Sequence, residues 1–169
     1  GYPDGFTIEL GSDSSDSEMR TMITEIIQSM LAEVGINVEI KKYDQSTWLE
    51  TRRAGEMPMY VSSWTADFND PDNFFYTFFG TQENSKIRSI NYPDTSVMQE
   101  VAKARTIVDE DERMETYHQL ETKLIQDDAC MVPLWSLDHL FAVSQRTKGF
   151  KVSWNGFSDS SFYPVYFEE

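Results

Sequence analysis

The sequence has 169 residues, with 14 Lys and Arg against 29 Asp and Glu, and a net charge of −15. A chain of this length can bury about 70% of its unfolded surface, and its 40% hydrophobic content argues against disorder. The excess of acids disfavours nucleic acid and anionic membranes as partners, because both require a basic surface. The single cysteine, Cys130, excludes an intramolecular disulfide and a zinc cluster built on cysteines. We therefore expect a globular domain with a hydrophobic core.

The chain opens on a pattern of strand, helix and strand. Phe6, Ile8 and Leu10 alternate with polar residues, as in a half-buried strand. Gly35 predicts the end of the following helix, and residues 36–40 alternate as a second strand. This order predicts a parallel, right-handed crossover and an α/β fold. The helix is predicted to bury one apolar face, formed by Met19, Ile23, Ile26, Ile27, Met30, Leu31 and Val34.

The next elements lead into an acidic loop. Residues 46–54 predict a short helix, and residues 59–64 predict a third strand. Asp70 and Pro71 predict a helix start, with the carboxylate as the cap and the proline at the first helical position. Asp72 lies in the first turn, where it suits the helix dipole. Both acids are therefore interpreted as structural.

Two helices and two strands are predicted in the C-terminal half. Asp94 is the predicted cap of the first helix, and Asp109 with Glu112 forms a capping pair for the second. The run of acids at that second cap is explained by the helix dipole. Residues 131–136 and 140–144 are predicted to be buried strands.

Asp67 is the carboxylate for which these structural explanations fail. It lies between the predicted third strand and the helix cap, beside Trp64 and Phe68, at the sheet edge where ligands collect in open α/β folds. A partly buried carboxylate there needs a cationic partner or hydrogen-bond donors, and a ligand ammonium is one candidate. Calcium is the alternative, but an EF-hand loop read from Asp67 has Pro71 and Phe78 at ligand positions.

Sequence motifs for catalysis are missing. The sequence has no glycine-rich phosphate loop, no nucleophile elbow and no His-rich metal pattern. His118 and His139 are interpreted as structural, and Cys130 as a buried, unreactive thiol. A carboxylate pair could serve a glycosidase, but nothing selects one pair among 29 acids. We therefore expect no enzyme, no catalytic residue, no metal site and no cofactor.

One loop and several shorter segments resemble a known protein family. Residues 64–74 are similar to the signature loop of the bacterial extracellular solute-binding proteins of family 5, the oligopeptide and dipeptide receptors of ABC importers. The resemblance spans nearly the whole chain and implies an α/β fold with a mixed sheet flanked by helices, one lobe of a class II periplasmic-binding-protein fold. The other matching segments, in the same order as in the family, are residues 1–6, 31–38, 109–113 and 132–134.

The resemblance also implies the organisation and partners of the protein. Residues 1–169 would form a single domain, most of the C-terminal ligand-binding lobe, with the other lobe outside this chain. The start, which lacks Met and a signal-peptide pattern, is interpreted as the interior of a longer product. We expect a monomeric bacterial protein in the periplasm or on the cell surface as a lipoprotein. Its expected partners are a peptide ligand and the permease subunits of an ABC transporter.

A ligand site follows from the same resemblance. Asp67 stands where peptide-binding members pair a carboxylate with the peptide's α-ammonium. The backbone around Trp64 and Thr65 is expected to bond the peptide like an added strand. Ala66 and Phe68 belong to the same predicted ligand-binding stretch.

Two questions stay open at this level. Some dipeptide-binding relatives hold the ligand carboxylate with a basic residue after the first strand, but residues 11–17 contain none, so that anchor is unassigned. Relatives of the family also take up nickel complexes, haem or oligosaccharides, so a non-peptide ligand is the first alternative. A carboxylate-pair hydrolase and an acidic interaction module are the others.

Overall fold

The computed structural model describes residues 2–154 and 162–169. None of the helices in these residues is long and apolar enough to cross a membrane. The strands are β1 (Phe6–Asp13), β2 (Ile36–Tyr43), β3 (Thr147–Lys148) and β4 (Tyr166–Phe167). The helices are α1 (Glu18–Ala32), α2 (Gln45–Ala54), α3 (Asp72–Phe79), α4 (Gln82–Lys86), α5 (Thr95–Ala104) and α6 (Glu110–Glu121), and α6 continues into a π-helical turn (Thr122–Asp127).

The first two strands form the predicted parallel pair. β1 and β2 are in register from Phe6 opposite Ile36 to Asp13 opposite Tyr43, and α1 connects them. Parallel neighbours require such a crossover connection, because the end of the first strand and the start of the second lie at opposite ends of the pair. Leu10 of β1 is fully buried in this unit. The α/β opening predicted from the alternating residues is confirmed.

The apolar face of α1 is less buried than its spacing predicts. Met30 is 63% exposed and Val34 is 70% exposed, and Met19 and Ile26 are also exposed. The prediction of one buried face is wrong because α1 packs mainly on β2, and a single neighbouring strand covers only part of so wide a stripe. The partly covered residues are Ile23, Ile27 and Leu31.

The predicted third strand at residues 59–64 is not a regular strand. A single parallel bridge joins Tyr60 to Gly11 of β1, and the Gly11 amide donates to the Met59 carbonyl at 2.9 Å. The segment therefore runs beside β1 for one residue pair and then leaves it. Side chains hold it in place of a ladder, since the Tyr60 hydroxyl donates to the carbonyl of Arg88.

Helices α3 to α6 enclose the main hydrophobic core. The rings of Phe79 and Tyr92 meet edge-on at 5.6 Å in its centre. Both predicted caps of the last helices are confirmed, because Asp94 accepts the Ser96 amide at 2.8 Å and Asp109 accepts the Glu112 amide at 2.9 Å. The core residues are Phe79, Tyr92, Val97, Met98, Val101, Ala104, Tyr117, Leu120 and Leu124.

The two strands predicted between residues 131 and 144 are not formed. Residues 132–140 are irregular and exposed, and Leu140 retains 94% of its accessible surface. A buried strand needs neighbouring strands and a covering layer, and residues 132–140 are exposed and outside any strand in the described part of the chain. The prediction of buried strands is therefore wrong for these residues.

Candidate ligand-binding site

The acidic loop is held together by Asn73 in the first turn of α3. The side chain of Asn73 is buried, and its Oδ1 accepts the indole N–H of Trp64 at 2.7 Å and the amide of Asp67 at 3.1 Å. Its Nδ2 donates to the Asp67 carboxylate at 3.4 Å. These bonds satisfy the buried amide and fix residues 64–67 against the helix start. The sequence motif contains Asn73, but local pattern gave no sign of this role.

Asp67 is exposed rather than partly buried. Its carboxylate contacts Asn73, and no basic side chain of the described residues lies within 4.0 Å of it. The expectation that burial demands a partner for this carboxylate is therefore wrong. The structure instead presents a charged oxygen pair at the surface, with its backbone amide already fixed.

The two neighbouring acids are neutralised within the chain. The Asp70 carboxylate lies 2.6 Å from Nη2 of Arg113 and accepts the amide of Asp72 at 2.8 Å. The Arg113 guanidinium lowers the pKa of Asp70. Asp72 is buried, and its Oδ1 lies 3.0 Å from Nε of Arg105 without hydrogen-bond alignment. Pro71 already has helical dihedral angles, φ −54° and ψ −31°, so the predicted helix start at Asp70 and Pro71 is confirmed, although the regular helix begins at Asp72.

This division of roles leaves fewer free carboxylates in the loop. The arginine contacts at 2.6 and 3.0 Å occupy two of the clustered carboxylates, those of Asp70 and Asp72. Within residues 2–154 and 162–169, no group of three His, Cys, Asp or Glu side chains could hold a metal ion. Asp67 is left as the carboxylate of the loop that has no cation bound to it among the described residues.

An aromatic corner with an arginine packs against Trp64 of the loop. The rings of Trp64 and Phe78 are 5.5 Å apart at 84°, and the guanidinium carbon of Arg88 is 4.5 Å from the Trp64 ring centroid. It lies 5.4 Å from the Phe78 centroid. Sequence reasoning missed Arg88, which is 24 positions beyond Trp64 and outside the motif. Its only sequence signal is that it is one of few cations in a strongly acidic chain.

The main chain that precedes Asp67 has free hydrogen-bonding groups. The backbone of residues 62–66 makes no hydrogen bond to any other described residue. Thr65 is exposed, Ala66 is half-buried, and Phe68 is 48% exposed. A backbone with unpaired N–H and C=O groups can pair with another strand. The predicted site residues thus lie on one short stretch beside the carboxylate.

The remaining candidates from the sequence are apart from this loop. His118 on α6 and His139 are exposed. Cys130 is half-buried rather than buried, its thiol donates to the Leu124 carbonyl at 2.9 Å, and burial raises its pKa. A thiol with a raised pKa has little thiolate at neutral pH and is a poor nucleophile.

The arrangement of the described elements matches solved periplasmic binding proteins. The chain aligns over its full length with 32% of the ABC transporter-associated periplasmic binding protein DppA from Helicobacter pylori in complex with peptide STSA. The identity is 28% and the TM-score is 0.72. HbpA2 from Haemophilus parasuis aligns with 99% of the chain over 33% of its own, at 24% identity and a TM-score of 0.79. The fold is that of one part of a periplasmic binding protein.

The sequence places the chain in one family of solute-binding proteins. Residues 1–86 match the model of the bacterial extracellular solute-binding proteins, family 5 Middle. This match covers half of the chain, so the chain belongs to that family and the resemblance is confirmed.

Curated relatives are longer than the chain. The dipeptide-binding protein of Pseudomonas aeruginosa is 28% identical over 144 residues, which are 85% of this chain and 26% of that protein. Heme-binding protein A of Haemophilus influenzae is 24% identical over 171 residues, covering 98% of this chain and 30% of that protein. The chain thus spans between about a fifth and a third of the length of the curated relatives it matches.

Proposed function

We propose that the intact protein captures short peptides and delivers them to an ABC importer. In this proposal the chain forms most of the C-terminal lobe and supplies one wall of a cleft between two lobes. Membership of solute-binding family 5 and the similarity to dipeptide-binding relatives support it. The observation that carries it is an exposed carboxylate, fixed by Asn73 and paired with no described cation, beside an unpaired backbone.

The role of Asp67 follows from its difference from the adjacent acids. Asp70 and Asp72 already contact arginines, so the Asp67 carboxylate is the one left to accept hydrogen bonds from a ligand ammonium. Closing a second wall over it would exclude water and strengthen that charge-assisted bond. The bond to Asn73 fixes the orientation of the carboxylate before the ligand arrives, which limits the entropy lost on binding.

The peptide backbone would pair with the free backbone of the loop. Residues 62–66 have unpaired backbone donors and acceptors, and their pairing with a ligand strand would recognise main chain rather than side chains. Trp64, Thr65, Ala66 and Phe68 would line this contact, with Phe68 exposed towards a ligand side chain or the second wall. Such a site accepts peptides of varied sequence.

The same proposal includes a cellular role. Members of the family are solute-binding proteins, and a receptor of this kind binds without catalysing a reaction. We propose an extracytoplasmic, monomeric protein whose partners are the peptide and the permease subunits of the importer.

A haem-like ligand is the second candidate. The similarity to heme-binding protein A of Haemophilus influenzae, which covers 98% of this chain, favours it. The two candidates differ in the expected role of Asp67. Its carboxylate can bind the ammonium of a peptide, whereas haem carries carboxylates and has no ammonium for Asp67 to bind.

Isothermal titration of the intact protein tests the peptide proposal. Alanine peptides of two to five residues are compared with their N-acetylated forms, which lack the ammonium. We expect the free-amine peptides to bind about 10- to 100-fold more tightly, as one charge-assisted hydrogen bond predicts. Asp67→Asn should abolish this preference.

Asp127→Asn is the matched control, because Asp127 is exposed and distant in sequence from the loop. It should keep the preference of the unaltered protein. An Asp67→Asn variant that still prefers the free amine would contradict the assigned role. Binding of haem without any peptide binding would favour the second candidate.

A further inference from the structure

Arg88 is a partly buried cation without an anionic partner. None of the acids in residues 2–154 and 162–169 lies within 4.0 Å of its guanidinium. Its Nε is buried and makes no hydrogen bond within the described part of the chain. A charged group removed from water without a partner destabilises the fold. An arrangement of this kind is expected where a ligand supplies the missing partner.

The surroundings of Arg88 are positive, although the chain carries −15. Arg52 and Arg53 lie close enough to repel it, and neither forms an ion pair with a described acid. Burial, followed by repulsion from Arg52, lowers the pKa of Arg88. Arg52 also has a buried Nε without a hydrogen bond among the described residues. In a chain with twice as many acids as bases, this cluster marks a place suited to an anion.

The guanidinium lies over two aromatic rings and is linked through one of them to the Asp67 loop. It stacks in the corner between Trp64 and Phe78, and the Trp64 indole donates to Asn73. Asn73 also holds Asp67. Attraction from Asp67 acts on Arg88, but the two do not form an ion pair. Trp64 and Asn73 therefore hold the Asp67 carboxylate and the Arg88 guanidinium near each other without an ion pair between them.

We propose that Arg88 binds the terminal carboxylate of the peptide whose ammonium binds Asp67. This inference rests on the proposed function and deepens it, because it makes the ligand a short zwitterionic peptide held at both ends. A guanidinium fork matches a carboxylate in shape and forms two parallel hydrogen bonds with it.

Titration of the intact protein with alanine peptides of two to five residues and with their C-terminal amides tests the proposal. We expect the free acid of the preferred length to bind about 10- to 100-fold more tightly than its amide. Arg88→Gln should bind acid and amide equally, while its preference for a free N-terminus persists. Arg88→Lys keeps the charge without the fork and should retain part of the preference.

Lys86→Gln is the matched control, since Lys86 is an exposed cation two positions away. It should keep the full preference for the acid. If Arg88→Gln weakened acid and amide by the same factor, Arg88 would only support Trp64 and the proposal would be wrong. Equal affinities of the unaltered protein for acid and amide would overturn this inference alone. Failure to bind any peptide would overturn the proposed function together with it.

Discussion

The helical region from α3 to α6 and the loop that precedes it differ in whether their polar groups are paired within the chain. In the helical region, carboxylates cap helices or contact arginines, as Asp94, Asp109 and Asp72 do. In the loop, the Asp67 carboxylate and the backbone of residues 62–66 are left open to a ligand. The difference shows how a chain with 29 acids can present one as a binding group, because its neighbours are already neutralised.

The largest effect on the helical region should come from its core. Leu124 is buried among the residues of α5, α6 and their neighbours. Leu124→Ala removes buried methyl groups and leaves a cavity, so it should reduce the free energy of unfolding by about 2–5 kcal/mol. Val108→Ala, at an almost fully exposed position, should change it by less than about 0.5 kcal/mol. Urea denaturation checks both, and similar losses in the two variants would contradict the described core.

Asn73 links the two regions, so its removal should affect both stability and binding. Asn73→Ala deletes the hydrogen bonds to Trp64 and to Asp67 and should lower the free energy of unfolding by about 1–3 kcal/mol. Peptide affinity should fall as well, because the Asp67 carboxylate loses its orientation. Asn69→Ala, at an exposed position of the same loop, is the control for thermal unfolding and titration. An Asn73→Ala variant with unaltered peptide affinity would contradict this prediction, because binding would then not depend on the loop geometry that Asn73 fixes.

The smallest effect should come from the ion pair at the start of α3. Arg113 lowers the pKa of Asp70, so the pair stabilises the fold above the ordinary aspartate pKa of about 3.9. This contribution is lost as the pH falls through the lower pKa of the folded state. Asp70→Asn should therefore reduce stability at pH 7 by up to about 1 kcal/mol, since the pair is partly exposed. Its difference from the unaltered protein should shrink towards pH 3, and a constant difference in thermal unfolding would refute the assignment.

Local patterns were enough to predict the parts of the fold that depend on nearby residues. Alternation identified β1 and β2, and cap residues such as Asp94 located helix starts, because both signals act over a few positions. The strands predicted at residues 131–136 and 140–144 failed because a strand depends on partners distant in sequence. Apolar residues in such a segment indicate a preference for burial, but they do not identify the strand or helix that would bury them.

The candidate site was predictable only in part for the same reason. Asp67 could be predicted as a binding residue because Asp70 and Asp72 have a structural explanation at a helix start and Asp67 has none. The contact of Asp70 with Arg113 spans 43 positions, and the stacking of Arg88 on Trp64 spans 24. Neither leaves a periodic or motif signal. The ligand-binding role of Asp67 and its neighbours stays a proposal that rests on geometry and family membership.

A crystal structure of the intact protein with a short peptide bound tests the central claim most directly. The account predicts the peptide's α-ammonium at about 2.7–3.1 Å from an Asp67 carboxylate oxygen, with the peptide backbone paired to residues 62–66. An ammonium bound elsewhere in the cleft, with Asp67 facing solvent, would contradict it.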